Sequence, residues 1–167
     1  MSVGVTAKAL LRPLRADDRG ELERVTRAVG VFKEYEVPIA LEVFDAAIKP
    51  GQDDYESMAA EVEGRFAGWA AWGRRPCTEG TWDLYWIAVD PALHGAGVGT
   101  TMLDELERRI RDRARLLVVE TGGRAAYDAT RAFYLAKGYD VAATIPDLYA
   151  PGDAQVILTK RFSSTQV

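Results

Sequence analysis

Three glycines alternate with other residues in His94-Gly95-Ala96-Gly97-Val98-Gly99-Thr100, after an apolar run that ends in Asp90-Pro91 and before an amphipathic pattern. Such a turn lets the backbone pass close to a ligand without interference from Cβ atoms. The helix that follows adds N–H groups lacking a carbonyl partner and the positive end of its dipole. The chemistry this supports is anion binding, above all of a diphosphate, with each charge-assisted N–H bond contributing about 1.5–3 kcal/mol. A P-loop needs lysine and then serine or threonine after its last glycine, and Gly99-Thr100-Thr101 has no lysine. A dinucleotide fingerprint needs a further glycine where Thr100 stands. Both of these phosphate loops fit poorly.

Three side chains are candidates for moving protons. Asp83 is the one charge inside the apolar run Thr81–Val89 and shares a strand face with Tyr85, Ile87 and Val89, because strand side chains repeat every two residues. Glu120, at the end of the next apolar run, is a second carboxylate. A carboxylate with a pKa of about 3.9 is a poor proton acceptor unless burial raises it or water relays the proton. Tyr134, beside Phe133, has a hydroxyl with a reference pKa of about 10, a reasonable general acid.

These groups need a frame. Residues 7–14 are an apolar run broken by Pro13 and read as a first or edge strand. Asp17 caps a helix in which Leu22, Val25, Val29 and Phe32 recur at helical spacing, ending near Gly30, and a second helix covers residues 37–49 and stops at Pro50-Gly51. Residues 55–64 and 66–73 read as strands joined by a turn at Glu63-Gly64-Arg65. The run Thr81–Val89 is apolar on both alternating faces, with Trp82, Leu84, Trp86 and Ala88 on one of them, the pattern of a central strand covered on both sides. After the glycine turn a helix covers residues 97–113, with Met102, Leu103, Leu106 and Ile110 inward.

Residues 116–120 read as a second buried strand ended by Thr121-Gly122-Gly123, and residues 125–137 as a helix stopped by Gly138. Residues 139–145 and 155–162 are closing strands separated by a loop over residues 146–153, and residues 163–167 a frayed tail. The order is that of a mixed α/β sheet. The four tryptophans, Trp69, Trp72, Trp82 and Trp86, read as core.

Composition bounds the answer further. A chain of 167 residues has room for one domain with a full core, and 48% hydrophobic with 28% charged residues is ordinary for a soluble globular protein. The net charge of −4 speaks against a duplex DNA binder and favours cationic partners. One cysteine, Cys77, excludes an internal disulfide, and one histidine, His94, excludes a zinc site made mainly of imidazoles. The N-terminus lacks the apolar core of a secretory signal and no run reaches the roughly 18 apolar residues of a membrane helix, so a cytoplasmic location is the default.

The glycine turn resembles the acyl-coenzyme A loop of the GNAT superfamily of N-acetyltransferases. That signature is glutamine or arginine, two residues, glycine, one residue, then glycine or alanine; Gly97 and Gly99 match it, and His94 departs from its first position. A second shared feature is a tyrosine four residues before a glycine-aromatic pair, Tyr134 before Gly138-Tyr139. The order of elements is a third, over nearly the whole chain. Where the family often has asparagine seven residues before that tyrosine, Tyr127 stands.

The resemblance implies a GNAT fold with a mixed central sheet of six to seven strands flanked by four helices, as a single domain over residues 1–167. It implies direct transfer of an acetyl group from acetyl-coenzyme A to a primary amine of a small molecule or peptide. Backbone groups of Ile87, Ala88 and Val89 would bind the pantetheine arm, and those of Gly95, Ala96, Gly97, Val98, Gly99 and Thr100 the diphosphate, with a coenzyme contact from Tyr127. Tyr134 corresponds to the general acid and Asp83 to the place of a catalytic glutamate in some members, with Glu120 as an alternative base. The acceptor is expected at the loops over residues 32–36 and 147–153, where Tyr35, Asp147 and Tyr149, with Tyr85 on the central strand, would contact a cationic group. No metal, nucleic acid or membrane partner is implied, and a homodimer is compatible with the family. The alternative from another class is a non-catalytic acyl-coenzyme A-binding or regulatory module.

Overall fold

The alternating and helical patterns become eleven regular elements in the computed structural model, which describes residues 8–93 and 95–162. His94 and the tail over residues 163–167 lie outside the described residues. In chain order the elements are β1 (Leu10–Arg12), α1 (Arg19–Ala28), α2 (Glu36–Ala47), β2 (Glu56–Val62), β3 (Arg65–Arg74), β4 (Thr81–Val89), α3 (Val98–Ile110), β5 (Leu116–Gly122), α4 (Asp128–Ala136), β6 (Asp140–Ala150) and β7 (Asp153–Arg161). The strands form one seven-stranded sheet in the order β1-β2-β3-β4-β5-β7-β6, in which β4 and β5 run parallel. The chain divides into two compact units, Met1–Trp72 with Trp86–Arg109, and Gly73–Tyr85 with Ile110–Val167.

In the first unit, Leu22 and Val25 of α1 and Ala40 and Phe44 of α2 bury their apolar stripes with Ala59, Trp69, Ala71 and Ala88. The start of α1 differs from expectation. Asp17 is exposed, and Asp18 is the N-cap residue, its carboxylate accepting the Arg15 N–H at 2.8 Å and two 2.8 Å bonds from Arg12. A cap read from sequence cannot say which of two adjacent aspartates a distant arginine will hold.

The turn between β2 and β3 is as expected: Glu63 (φ 51°) and Gly64 (φ 74°) both adopt the left-handed conformation of a tight hairpin. Farther along β3, Ala60 pairs with Gly68 but Glu61 with Phe66, so Ala67 is an extra, bulged residue. Its carbonyl accepts the N–H of Asp90, just past the end of β4, at 2.8 Å. At the next residue a Cβ would lie 2.6 Å from the Ala88 carbonyl oxygen, so glycine at 68 is what allows β3 to approach the end of β4.

In the second unit, β4 and β5 pair from Thr81 with Leu116 to Leu84 with Val119. The strand β5 continues to Gly122 and does not end at Glu120 as the sequence suggested. Gly122 belongs in it because it pairs with Gln155 of β7, and a Cβ there would lie 2.6 Å from the Tyr127 ring, which calls for glycine. The expected loop over residues 146–153 is mostly strand: β6 runs to Ala150, which pairs with Asp153 across a tight turn at Pro151-Gly152. Pro146 and Asp147 are absorbed by one irregularity between Ile145 and Ala150, where Asp147 is left-handed (φ 59°).

Helix α4 ends in a Schellman motif. Gly138 (φ 87°) donates to the Leu135 carbonyl and Tyr139 to the Tyr134 carbonyl, each at 3.1 Å. The hydrophobic contact that accompanies this motif is Tyr134 against Tyr139, ring centroids 5.3 Å apart. The spacing of Tyr134, Gly138 and Tyr139 is therefore a helix stop that also packs the tyrosine.

The burial of β4 also departs from the sequence reading. Trp82, Leu84 and Ala88 are buried, and Trp69 and Trp72 of β3 are completely so. On the other face Tyr85 is 37% exposed and Asp83, Ile87 and Val89 are only partly covered. A period-two pattern reports how apolar a face is, not whether another element covers it.

Two stability predictions follow from these contacts. Gly138→Ala, forced into the left-handed region, lowers unfolding free energy by about 1 kcal/mol in urea titration. Asp90 lies buried, accepting from Ala92 N–H at 3.0 Å and from Arg24 Nη2 at 2.9 Å. Burial opposes its ionisation, but those two donors outweigh it and hold the carboxyl below its ordinary range. Its contribution is then complete above about pH 4 and is lost as pH falls through the lower folded value. Asp90→Asn costs about 1–2 kcal/mol at pH 7, and the gap to the wild type narrows as the melts are taken to acid pH.

Candidate active site

The sequence-derived site residues divide between the two units. In the first, the glycine turn is built from Asp90 outward. Its backbone N–H is held by Ala67, its carboxylate by Ala92 and Arg24, and its carbonyl accepts the Leu93 N–H at 2.9 Å, closing the 3-10 turn Pro91–Leu93. The next link is Ala96 N–H to the Leu93 carbonyl at 3.2 Å. Gly95 (φ 87°) and Gly97 (φ 72°) take left-handed conformations, and a Cβ on either would meet open space. Conformation, more than crowding by the protein, calls for glycine there, and the side toward which those Cβ atoms would point is clear of described atoms.

Among the described residues, the first helix-type bond at α3 runs from Thr101 N–H to the Gly97 carbonyl at 2.9 Å. The N–H groups of Val98, Gly99 and Thr100 thus stand ahead of the helical ladder. Buried Val98, Met102, Leu103, Leu106 and Ile110 fix the helix behind them. These donors suit a diphosphate, whereas Ala96 N–H is already engaged. Ile87, Ala88 and Val89 close β4 immediately before this turn, with Ala88 buried. Tyr35, the N-cap residue of α2, is 63% exposed, with the Lys33 ammonium 5.6 Å from its ring centroid.

The second unit gathers the carboxylates. Arg75 Nη1 donates to Asp83 Oδ1 at 2.8 Å, and Nη2 of the same guanidinium lies 3.6 Å from Glu120 Oε1. Gln155 Nε2 reaches both Glu120 Oε2 (3.1 Å) and the Tyr149 hydroxyl (3.2 Å). Asp83, Glu120 and Tyr149 therefore belong to one polar chain. Burial of Asp83 pushes its carboxyl up and Glu120 adds to this; Arg75 opposes it without cancelling it, so the group stays above the ordinary carboxylate range.

Asp147 is engaged differently, its Oδ1 accepting the Gly152 N–H at 2.7 Å to brace the β6–β7 turn. Tyr127 lies over Gly122 with the Arg124 guanidinium 5.6 Å from its ring. Tyr134 is 2% exposed, between Phe133 and Tyr139 at ring-centroid distances of 5.2 and 5.3 Å. Burial raises its phenol well above the ordinary value, which keeps it protonated through the neutral range. Sequence reasoning missed Arg75 and Asp90. Asp90 before proline carried a turn signal, whereas Arg75 carried none beyond being a cation in the loop before Asp83. Among the described residues, no group of three or more His, Cys, Asp or Glu side chains could hold a metal ion, and no helix is long and apolar enough to cross a membrane.

Comparison with known proteins agrees with this architecture. No curated protein sequence matches the chain. The family model described as Acetyltransferase (GNAT) family matches residues 22–139. A solved GNAT-family protein from Desulfovibrio desulfuricans is 33% identical with a TM-score of 0.87, over 93% of this chain and 99% of its own. The ribosomal-protein-S18-alanine N-acetyltransferase of Escherichia coli shares the fold at 19% identity, TM-score 0.75, over 95% and 96% of the two chains. An aminoglycoside 6'-N-acetyltransferase complexed with coenzyme A does so at 13% identity, TM-score 0.72, over 95% and 99%. The sheet order, the glycine turn, the model match and the 33% identical relative together carry one conclusion: the chain belongs to the GNAT family of acetyltransferases.

Proposed function

We propose that the chain transfers the acetyl group of acetyl-coenzyme A directly to a primary amine of a small molecule or peptide. The observation that carries this reading is the run of N–H donors at Val98, Gly99 and Thr100, standing ahead of α3 and following a strand whose Ile87 and Val89 face is only partly covered. Such donors hold a diphosphate without a lysine. The turn glycines keep its side toward solvent clear, as a bulky anion requires. The coenzyme A complex of the aminoglycoside acetyltransferase, a protein of the same fold, supports the same ligand here.

An alkyl amine with a pKa of about 10.4 is almost wholly protonated at pH 7, and neutralising it costs about 4–5 kcal/mol. In this reading Asp83 receives that proton, directly or through water, and its raised carboxyl makes it a better acceptor than an ordinary aspartate. Glu120 is the second carboxylate of the same polar chain. Tyr134 donates its phenolic proton to the departing sulfur as the C–S bond breaks; burial keeps that proton on the phenol until then. Tyr35, Tyr85 and Tyr149 offer exposed rings to a cationic acceptor.

The test is thiol release from acetyl-coenzyme A against a panel of polyamines, aminoglycosides, amino acids and peptide amines, repeated with propionyl- and succinyl-coenzyme A. Acetyl transfer to at least one of these amines is expected, and coenzyme A binding with no turnover on any would overturn the proposal. With an accepted amine, Tyr134→Phe lowers kcat by about 100-fold while KM for acetyl-coenzyme A stays within twofold.

A further inference from the structure

Arg75 has no part in the proposed chemistry, yet it reaches both candidate bases, Asp83 and Glu120. Its backbone is fixed before its side chain is considered: the N–H donates to the Thr81 carbonyl at 2.9 Å, and the carbonyl accepts the Thr78 hydroxyl at 2.7 Å. The turn from Arg75 to Thr81 therefore sets where the guanidinium begins. Nη1 takes Asp83 Oδ1 at 2.8 Å and Nη2 faces Glu120 Oε1 at 3.6 Å.

The two carboxylates stand on either side of a structural break. Asp83 pairs with Val118, the parallel ladder stops at Leu84 with Val119, and Glu120 is the next residue on β5. Asp83 and Glu120 share a face, since Glu120 is two residues beyond Val118. The guanidinium therefore bridges β4 and β5 where their hydrogen bonding ends. Of the Asp83 oxygens, Oδ1 is committed to Arg75, and Oδ2 receives no hydrogen bond from a described residue.

Resting on the reading of Asp83 as base, we infer that Arg75 is its positioning residue: it clamps Oδ1, ties Glu120 to the same guanidinium, and leaves Oδ2 to receive the proton. The carboxylate can then neither rotate freely nor pair closely with Glu120, and the cation balances one of the two negative charges. The charged groups bearing on Asp83 are Arg75 and Glu120. On the same face of β7 the partners of β5 are Gln155, Ile157 and Thr159, which are uncharged, and Arg161, which pairs with Leu116, two residues before the Val118 that Asp83 faces. Arg74 and Arg113 pack instead over the Trp82 ring, at 5.4 and 4.7 Å from its centroid, and Trp82 is on the opposite face of β4 from Asp83.

The deciding measurement is a 13C titration of the aspartate carboxyls in the intact protein, with Asp83 assigned by its loss in Asp83→Asn. It requires no acceptor amine. Arg75→Met, at a side chain that is 41% exposed, moves the Asp83 titration to higher pH by about a tenfold change in proton affinity. Arg75→Lys restores most of that change. Glu120→Gln moves the titration the other way by removing a like charge, and provides the second arm should Arg75→Met fold poorly. With an amine accepted in the thiol-release screen, the acidic limb of kcat/KM follows the Asp83 titration in each variant. A titration in Arg75→Met that superimposes on the wild type overturns the inference. Asp83→Asn retaining full transfer and its acidic limb, with the Asp83 titration of the parent still responsive to Arg75, would instead sink the base reading and leave the clamp standing.

Discussion

The glycine turn ahead of α3 depends on one buried carboxylate. Asp90 ends β4, and every polar atom it offers is engaged: its N–H by the bulged Ala67, its carbonyl by Leu93, and its two side-chain oxygens by Ala92 and Arg24. A glycine-rich turn has little conformational preference of its own, because glycine loses more freedom on ordering than any other residue. Its direction has to be imposed from outside. Asp90 imposes it at the entry and the buried stripe of α3 at the exit.

The proton affinities of the two proposed proton-transfer groups are set by different means. Tyr134 relies on desolvation alone, and an aromatic neighbour supplied by the helix stop, Tyr139, doubles as its packing partner. Asp83 combines desolvation and a like charge against a clamping arginine, so its proton affinity is a balance of opposed terms. Burial holds the phenol in its protonated form but weakens it as an acid, so its proton moves only as the C–S bond breaks and charge develops on sulfur. A carboxylate must accept a proton and give it up again, and an unopposed buried one would hold it too firmly.

Element types and order were legible in the sequence because they rest on local rules. The 2-residue and 3.6-residue periods, the glycine stops at 30 and 138, and the hairpin at Glu63-Gly64 are decided by neighbours a few positions apart, whereas α2 ends at Ala47, short of the expected stop at Pro50-Gly51. The glycine turn and the pair of Tyr134 with Gly138-Tyr139 were legible for the same reason. Where expectation failed, contacts outside the local pattern had the deciding vote: Arg12 holds Asp18 and not Asp17, and pairing with β7 carried β5 on to Gly122 and closed the end of β6 through Ala150 and Asp153.

The family and its glycine turn were thus determined by the sequence itself, since backbone donors at a helix start follow from glycine spacing and chain direction. Only the tertiary structure decided which ionisable groups meet. The bond between Arg75 and Asp83 spans eight residues, that between Arg24 and Asp90 66, and Glu120 and Gln155 are 35 apart. Charges are read from a sequence one at a time, whereas their proton affinities are set by the low-dielectric surroundings and the partners that folding brings within a few ångströms.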